Sequence, residues 1–154
     1  MKPRFLIILF TVFISLNAFG QANNKVPENV KTAFTSKFPK ATKVKWSKEN
    51  DKEWEAEFKL YGKEYSANFD LDGNWMETEY EINSSEIPSA VKSTLDKDFA
   101  GYKIAESEIS ESSVGKVYEF ELKKNGKKAE VSVDVNGKVL EQEQGKEADK
   151  DDKD

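Results

Sequence analysis

The chain states nearly the same pattern twice. Val26-Pro27-Glu28-Asn29-Val30 returns as Glu86-Ile87-Pro88-Ser89-Ala90-Val91, and Trp54-Glu55-Ala56-Glu57-Phe58 returns as Tyr118-Glu119-Phe120-Glu121-Leu122. The closing turn returns with them, Asn68-Phe69-Asp70-Leu71-Asp72-Gly73-Asn74 matching Ser132-Val133-Asp134-Val135-Asn136-Gly137-Lys138. A period of about sixty residues that ends each time in the same turn chemistry describes a duplicated supersecondary unit.

Each copy opens with a helical stripe and then changes period. Val30, Ala33, Phe34 and Phe38 recur at helical spacing behind Pro27 and stop at Phe38-Pro39; Val91, Thr94, Leu95 and Phe99 do the same behind Pro88, with Ser84 or Ser85 available as a cap. Trp54, Ala56, Phe58 and Leu60 then alternate with charged residues, as do Tyr65, Ala67, Phe69 and Leu71. Turns are expected at Gly62-Lys63, Asp72-Gly73, Asn125-Gly126 and Asn136-Gly137. Further strands around 42–48 and 103–110 make four per copy. The fold expected is α+β: two tandem helix-plus-four-stranded antiparallel repeats, 26–82 and 85–143, both helices on one side of a continuous or abutting sheet.

A two-residue loop at Asp72-Gly73 would pair Phe69 with Met76, burying Met76, Thr78 and Tyr80 and turning Trp75, Glu77 and Glu79 to the open face. In copy two the same reasoning buries Tyr118, Phe120, Leu122, Ala129, Val131, Val133 and Leu140, leaving Glu119, Glu121, Lys128, Glu130 and Asp134 outside.

The two ends stand apart from the repeats. Lys2 and Arg4 precede an apolar run from Phe5 to Phe19 that is short for a membrane span, and Ala18-Phe19-Gly20 fits a signal-peptidase site. Residues 1–20 are therefore expected to be a signal peptide cleaved before Gln21, giving a periplasmic or secreted protein without stable membrane insertion. Residues 144–154 carry no large apolar side chain and read as a disordered charged tail.

Composition excludes much chemistry. The net charge is −5 and becomes −7 once Lys2 and Arg4 are removed, so nucleic acid is an unsuitable partner. Arg4 is the only arginine, and the chain has no histidine or cysteine. That removes Ser-His and Cys-His nucleophile pairs, thiolate chemistry, ordinary zinc sites and bidentate arginine clamps. No catalytic residue, resident metal or cofactor is assigned, and the chain is expected not to be an enzyme.

The helix opening Val26-Pro27-Glu28-Asn29-Val30, the run Phe38-Pro39-Lys40-Ala41 leading to Val44-Lys45-Trp46, the strand Trp54-Glu55-Ala56-Glu57-Phe58 and the Asp70-Leu71-Asp72-Gly73 hairpin resemble the PepSY-like family of exported, beta-lactamase-inhibitor-like bacterial proteins. The resemblance spans most of residues 26–143. It implies a fold like that of beta-lactamase inhibitory protein, with a helical layer on one side and an open sheet face on the other, and it carries over no catalytic residues.

Function is then expected on the open face. Copy one places Glu53, Glu55, Glu57, Glu64, Asp70, Glu77 and Glu79 there with Tyr61 and Trp75. A solvated, charged face that resists edge pairing is the commonest reason for such a surface. A tryptophan exposed on it would instead anchor an interface. The expected binding residues are Trp75, Tyr61, Glu55, Glu57, Asp70 and Glu77, serving an exported non-catalytic module whose partner is a protein or peptide, with peptidase or other protein inhibition as one form. The alternative is a small-ligand or Ca²⁺-binding periplasmic protein. Asp70, Asp72 and Asn74 have the spacing that opens a calcium loop, without a glutamate at its twelfth position.

Overall fold

In the computed structural model, which describes residues 25–147, both repeats feed one sheet. Helix α1 (Glu28–Lys37) is followed by β1 (Thr42–Asn50), β2 (Glu53–Leu60), β3 (Lys63–Asp70) and β4 (Trp75–Glu81); a 3₁₀ turn (Ser84–Glu86) leads to α2 (Ser89–Asp98), β5 (Lys103–Ser112), β6 (Gly115–Lys124), β7 (Lys127–Asp134) and β8 (Val139–Glu147). The eight strands form a single antiparallel meander in chain order. β4 pairs directly with β5, so the repeats share a continuous sheet rather than forming two separate ones.

Alternation sorts the side chains as period two requires. Val30 and Phe34 of α1 pack on Trp54, Ala56, Phe58, Ala67 and Phe69. Val91, Leu95 and Phe99 pack on Ile109, Tyr118, Phe120, Leu122, Ala129, Val131 and Val133. The two clusters meet where the rings of Tyr65 and Tyr80 lie 4.9 Å apart. Thus one face of the sheet is covered along its length and the other is polar.

Turn geometry corrects the expected register. At the β3–β4 hairpin the Asp70 N–H donates to the Asn74 carbonyl and the Gly73 N–H to the Asp70 carbonyl, each at 3.0 Å. The loop therefore has three residues, with Gly73 at φ +84°, the pattern of a type I turn closed by a left-handed residue. Phe69 pairs with Trp75 and Asn68 with Glu77, which leaves Met76 as the extra residue of a bulge. Trp75 consequently lies on the helix-covered face against the first core cluster, not on the open one. Its Nε1 donates to Thr78 Oγ1 at 2.9 Å, and Lys37 Nζ sits 3.5 Å from the ring centroid. Met76, expected inside, is exposed. Beyond the bulge the expected faces return, with Thr78 buried and Glu77 and Glu79 on the polar side.

Copy two repeats the device. Val133 pairs with Val139 and Ser132 with Glu141, so Val139 rather than Leu140 packs on the core. Three smaller corrections concern termini and tips. The β2–β3 turn is Tyr61-Gly62, both at positive φ, instead of Gly62-Lys63. Leu71, expected in the core, is an exposed tip residue. Strand β8 runs to Glu147, four residues into the segment expected to be a tail; the remaining tail, the signal peptide and its cleavage site lie outside the described residues.

Gly73 and Gly137 also let the helices seat. A Cβ at Gly73 would stand 3.0 Å from the Asn29 carbonyl oxygen, and one at Gly137 2.7 Å from that of Ala90. Asn29 Nδ2 donates to the Leu71 carbonyl at 2.9 Å, and Thr94 Oγ1 donates to the Gly137 carbonyl at 2.5 Å, so the start of α1 and the middle of α2 are each fastened to the closing hairpin of their repeat. Gly126 has similar positive φ but nothing within 4 Å of its Cβ position. Gly126→Ala should cost about 1–2 kcal/mol for the left-handed backbone alone. Gly137→Ala should cost more in urea unfolding, because the helix must also move; equal losses would contradict this docking.

Candidate functional site

The polar face is built from cross-strand rows. Successive register pairs align Ser47, Glu55, Asn68, Glu77 and Ser112 across β1–β5, and beside them Glu57, Ser66, Glu79 and Ser110 across β2–β5. A third row runs Glu81, Glu108, Glu119, Ser132 and Glu141 across β4–β8. Glutamates thus alternate with short polar residues in the first two rows, but stand directly opposite one another at Glu81–Glu108 and Glu108–Glu119.

The short residues supply long hydrogen bonds. Ser47 Oγ donates to Glu55 at 3.1 Å, Ser66 Oγ to Glu79 at 3.5 Å, and Asn68 Nδ2 and Ser110 Oγ to Glu77 at 3.4 Å each. Lysines neutralise only the margins: Lys59 pairs with Glu64 at 2.9 Å, and Lys123 and Lys128 reach Glu121 at 2.8 and 2.9 Å. Among the described residues no lysine lies within ion-pair distance of Glu55, Glu77, Glu79, Glu108 or Glu119.

This face is less wet than expected from the sequence. Glu119 is 9 % exposed and Glu121 1 %. Burial first, and like charges second, push the carboxyls of Glu77, Glu79 and Glu108 up to about 7 and that of Glu119 up to about 8. Burial also raises Glu55, against the Ser47 hydrogen bond. Glu121 goes the other way, since Lys123 and Lys128 outweigh its burial and hold the carboxyl below its ordinary range. The face is therefore not the uniformly solvated surface that charge runs usually make.

The sequence-derived site residues divide. Glu55, Glu57 and Glu77 do share the polar face. Trp75 is on the opposite side of the sheet. Tyr61 is at a turn tip, 79 % exposed, with Lys40 Nζ 5.6 Å from its ring centroid. Asp70 is engaged by its own turn, accepting from Asn74 Nδ2 and from the Asn74 and Asp72 N–H groups, and these bonds hold its carboxyl low. Asp134 accepts in the same way from Asn136 and Lys138, so both aspartates serve hairpin closure. Glu79, Glu108 and Glu119 were absent from that set of binding residues. The period-two run Glu106, Glu108, Ser110, Ser112 placed glutamates on one face, but their meeting with Glu79 and Glu119 depends on the β4–β5 junction.

Among the described residues no three Asp or Glu side chains converge in a way that could hold a metal ion, and no helix is long and apolar enough to cross a membrane. Chemically the face offers a band of desolvated carboxylates without counterions.

A raised carboxyl binds protons in the native state that the unfolded chain has released. Between the ordinary value of 4.5 and about 7 to 8, stability therefore falls as pH rises. This contribution is fully present below that ordinary value and is lost through the raised ones. The melting temperature should be higher at pH 5.5 than at pH 8.5, and Glu119→Gln should flatten the difference by raising stability at the alkaline end. A profile that rises with pH and is insensitive to Glu119→Gln would contradict the desolvation.

A family model described as "Putative beta-lactamase-inhibitor-like, PepSY-like" matches residues 22–64 and 54–141. The fold is shared with solved structures, among them the following three. A BLIP-like protein from Bacteroides fragilis is 22 % identical, with a TM-score of 0.70 over 78 % of this chain and 86 % of its own. A DUF2874 family protein from Bacteroides uniformis is 18 % identical, with a TM-score of 0.73 over 78 % and 90 %. A structure from Bacteroides eggerthii, named "putative periplasmic proteins", is 19 % identical, with a TM-score of 0.72 over 78 % and 89 %. No curated protein matches the chain.

Proposed function

The chain belongs to the beta-lactamase-inhibitor-like, PepSY-like family, and from that premise we propose that it is an exported, non-catalytic binding module whose polar sheet face receives a protein or peptide. The observation that carries this reading is the glutamate band itself: desolvated carboxylates without cations stand on the one face that no helix covers. Such a surface is costly for an isolated domain and is relieved when a partner supplies donors. The family's likeness to an inhibitor supports inhibition as the form binding takes. The name of the Bacteroides eggerthii neighbour and the signal-like first twenty residues support export.

The revised position of Trp75 changes what it contributes. With its ring in the first core cluster and its indole N–H bonded to Thr78, it supports the scaffold instead of touching the partner. Trp75→Ala should lower unfolding stability by about 2 kcal/mol, less than the loss of a fully buried aromatic. Loss of binding by a fully stable Trp75→Ala protein would contradict its scaffold role.

The functional test is retention from host periplasmic and secreted fractions on immobilised protein. A partner held by the unmodified chain, lost with Glu77→Gln/Glu79→Gln and kept in the presence of chelator, supports the reading. Retention that is unchanged by the double variant overturns use of this face, and a calcium-induced rise in melting temperature reversed by chelator favours the ligand-binding alternative.

A further inference from the structure

Resting on the proposed binding role of this face, we infer that the partner's contacting segment is cationic, placing at least one lysine or arginine side chain over Glu119 and the glutamates of β4 and β5 beside it. Like charges directly opposed on antiparallel strands destabilise a sheet, yet Glu81, Glu108 and Glu119 are opposed in sequence across β4, β5 and β6. Elsewhere on the same face cations are supplied internally, since Glu64 has Lys59 and the deeply buried Glu121 has two lysines. The chain has 24 basic residues, so the lack of a cation in this row is not forced by composition.

Glu119 adds an independent indication. The residue is 9 % exposed, and among the described residues no lysine lies within ion-pair distance of its carboxylate, whose oxygens keep only a narrow access to water. A carboxylate offers about four acceptor sites, and restricting the water that reaches them while supplying no protein donor disfavours the charged form. An ammonium or guanidinium brought from outside would fill them with charge-assisted hydrogen bonds in a desolvated setting.

The groups that face this position are all acidic. Glu77 and Glu79 of β4, Glu108 of β5 and Glu141 of β8 face Glu119. Glu49 of β1 and Glu53 and Glu55 of β2 face Glu77; Glu49 and Glu55 also face Glu79, while Glu81 and Glu106 face Glu108. Lys116 is held by Glu111, and Lys123 and Lys128 by Glu121. Near neutral pH the band therefore retains protons, and an arriving cation expels them. Binding should tighten with rising pH and release protons.

The test uses the purified protein and a synthetic twelve-residue peptide of alternating lysine and alanine, by calorimetry at low salt in buffers of different ionisation enthalpy. The expected result is net proton release near pH 7, affinity about tenfold higher at pH 8.5 than at pH 6, and loss of about tenfold with Glu79→Gln/Glu119→Gln. Asp96→Asn/Asp98→Asn, on exposed positions of α2, should bind like the unmodified protein. Equal weakening by both double variants, or binding without proton release, overturns the inference by showing only diffuse attraction. A host partner that depends on Glu77 and Glu79 but is indifferent to pH and to Glu119→Gln would overturn the cationic inference while leaving the binding role intact. Failure to retain any host partner alongside the expected peptide behaviour would instead remove the binding role and keep the cation site.

Discussion

The β4–β5 pairing makes one molecule of two repeats. Five directly opposed pairs, from Glu77 with Ser112 to Glu81 with Glu108, carry hydrogen bonding across the duplication boundary. On the covered side, Tyr65 and Tyr80 bring the two cores into contact. Antiparallel strands fix the parity of side chains over the whole width of a sheet. Both helices therefore lie on one side, and Glu55, Glu77 and Glu79 of copy one share the other with Glu108 and Glu119 of copy two.

That parity explains the electrostatics. Each repeat alone would have a modest polar face, charged and wet. Joined edge to edge, they place Glu79 near Glu119 and oppose Glu81 to Glu108, producing a crowded central band where the margins alone have lysine partners. Desolvation then opposes ionisation, and the strain is released by protonation or by an external cation. Stability at neutral pH is lowered at the one surface left uncovered, which is the pattern expected where a local folding rule yields to binding.

Much of this was readable in the chain. The repeat, the helical stripes and the alternating strands were legible because period 3.6 and period 2 are local signals, and Val30 with Val91 or Phe58 with Leu122 occupy the core they were expected to occupy. Trp75 was misplaced because Asp72-Gly73 fits a two-residue turn as well as the last two positions of a three-residue one; the choice is made by Asp70 accepting from the backbone, and one added residue reverses a side chain's face. Tyr61 departs from its expected place because its left-handed conformation at the tip is set by strand pairing, which the Gly62 signal does not encode. The glutamate band was half legible. Its members on β2 and β4 followed from alternation, while the burial of Glu119 depends on long-range packing across β4–β8.

The most direct measurement is an NMR titration of the glutamate side-chain carboxyls between pH 4 and 9. Midpoints near 7 are expected for Glu77, Glu79 and Glu108 and near 8 for Glu119, with Glu121 below the ordinary carboxylate value. Midpoints for all five clustered around 4.5 would mean that the face is hydrated in solution, and would contradict a preformed, desolvated site awaiting a cation.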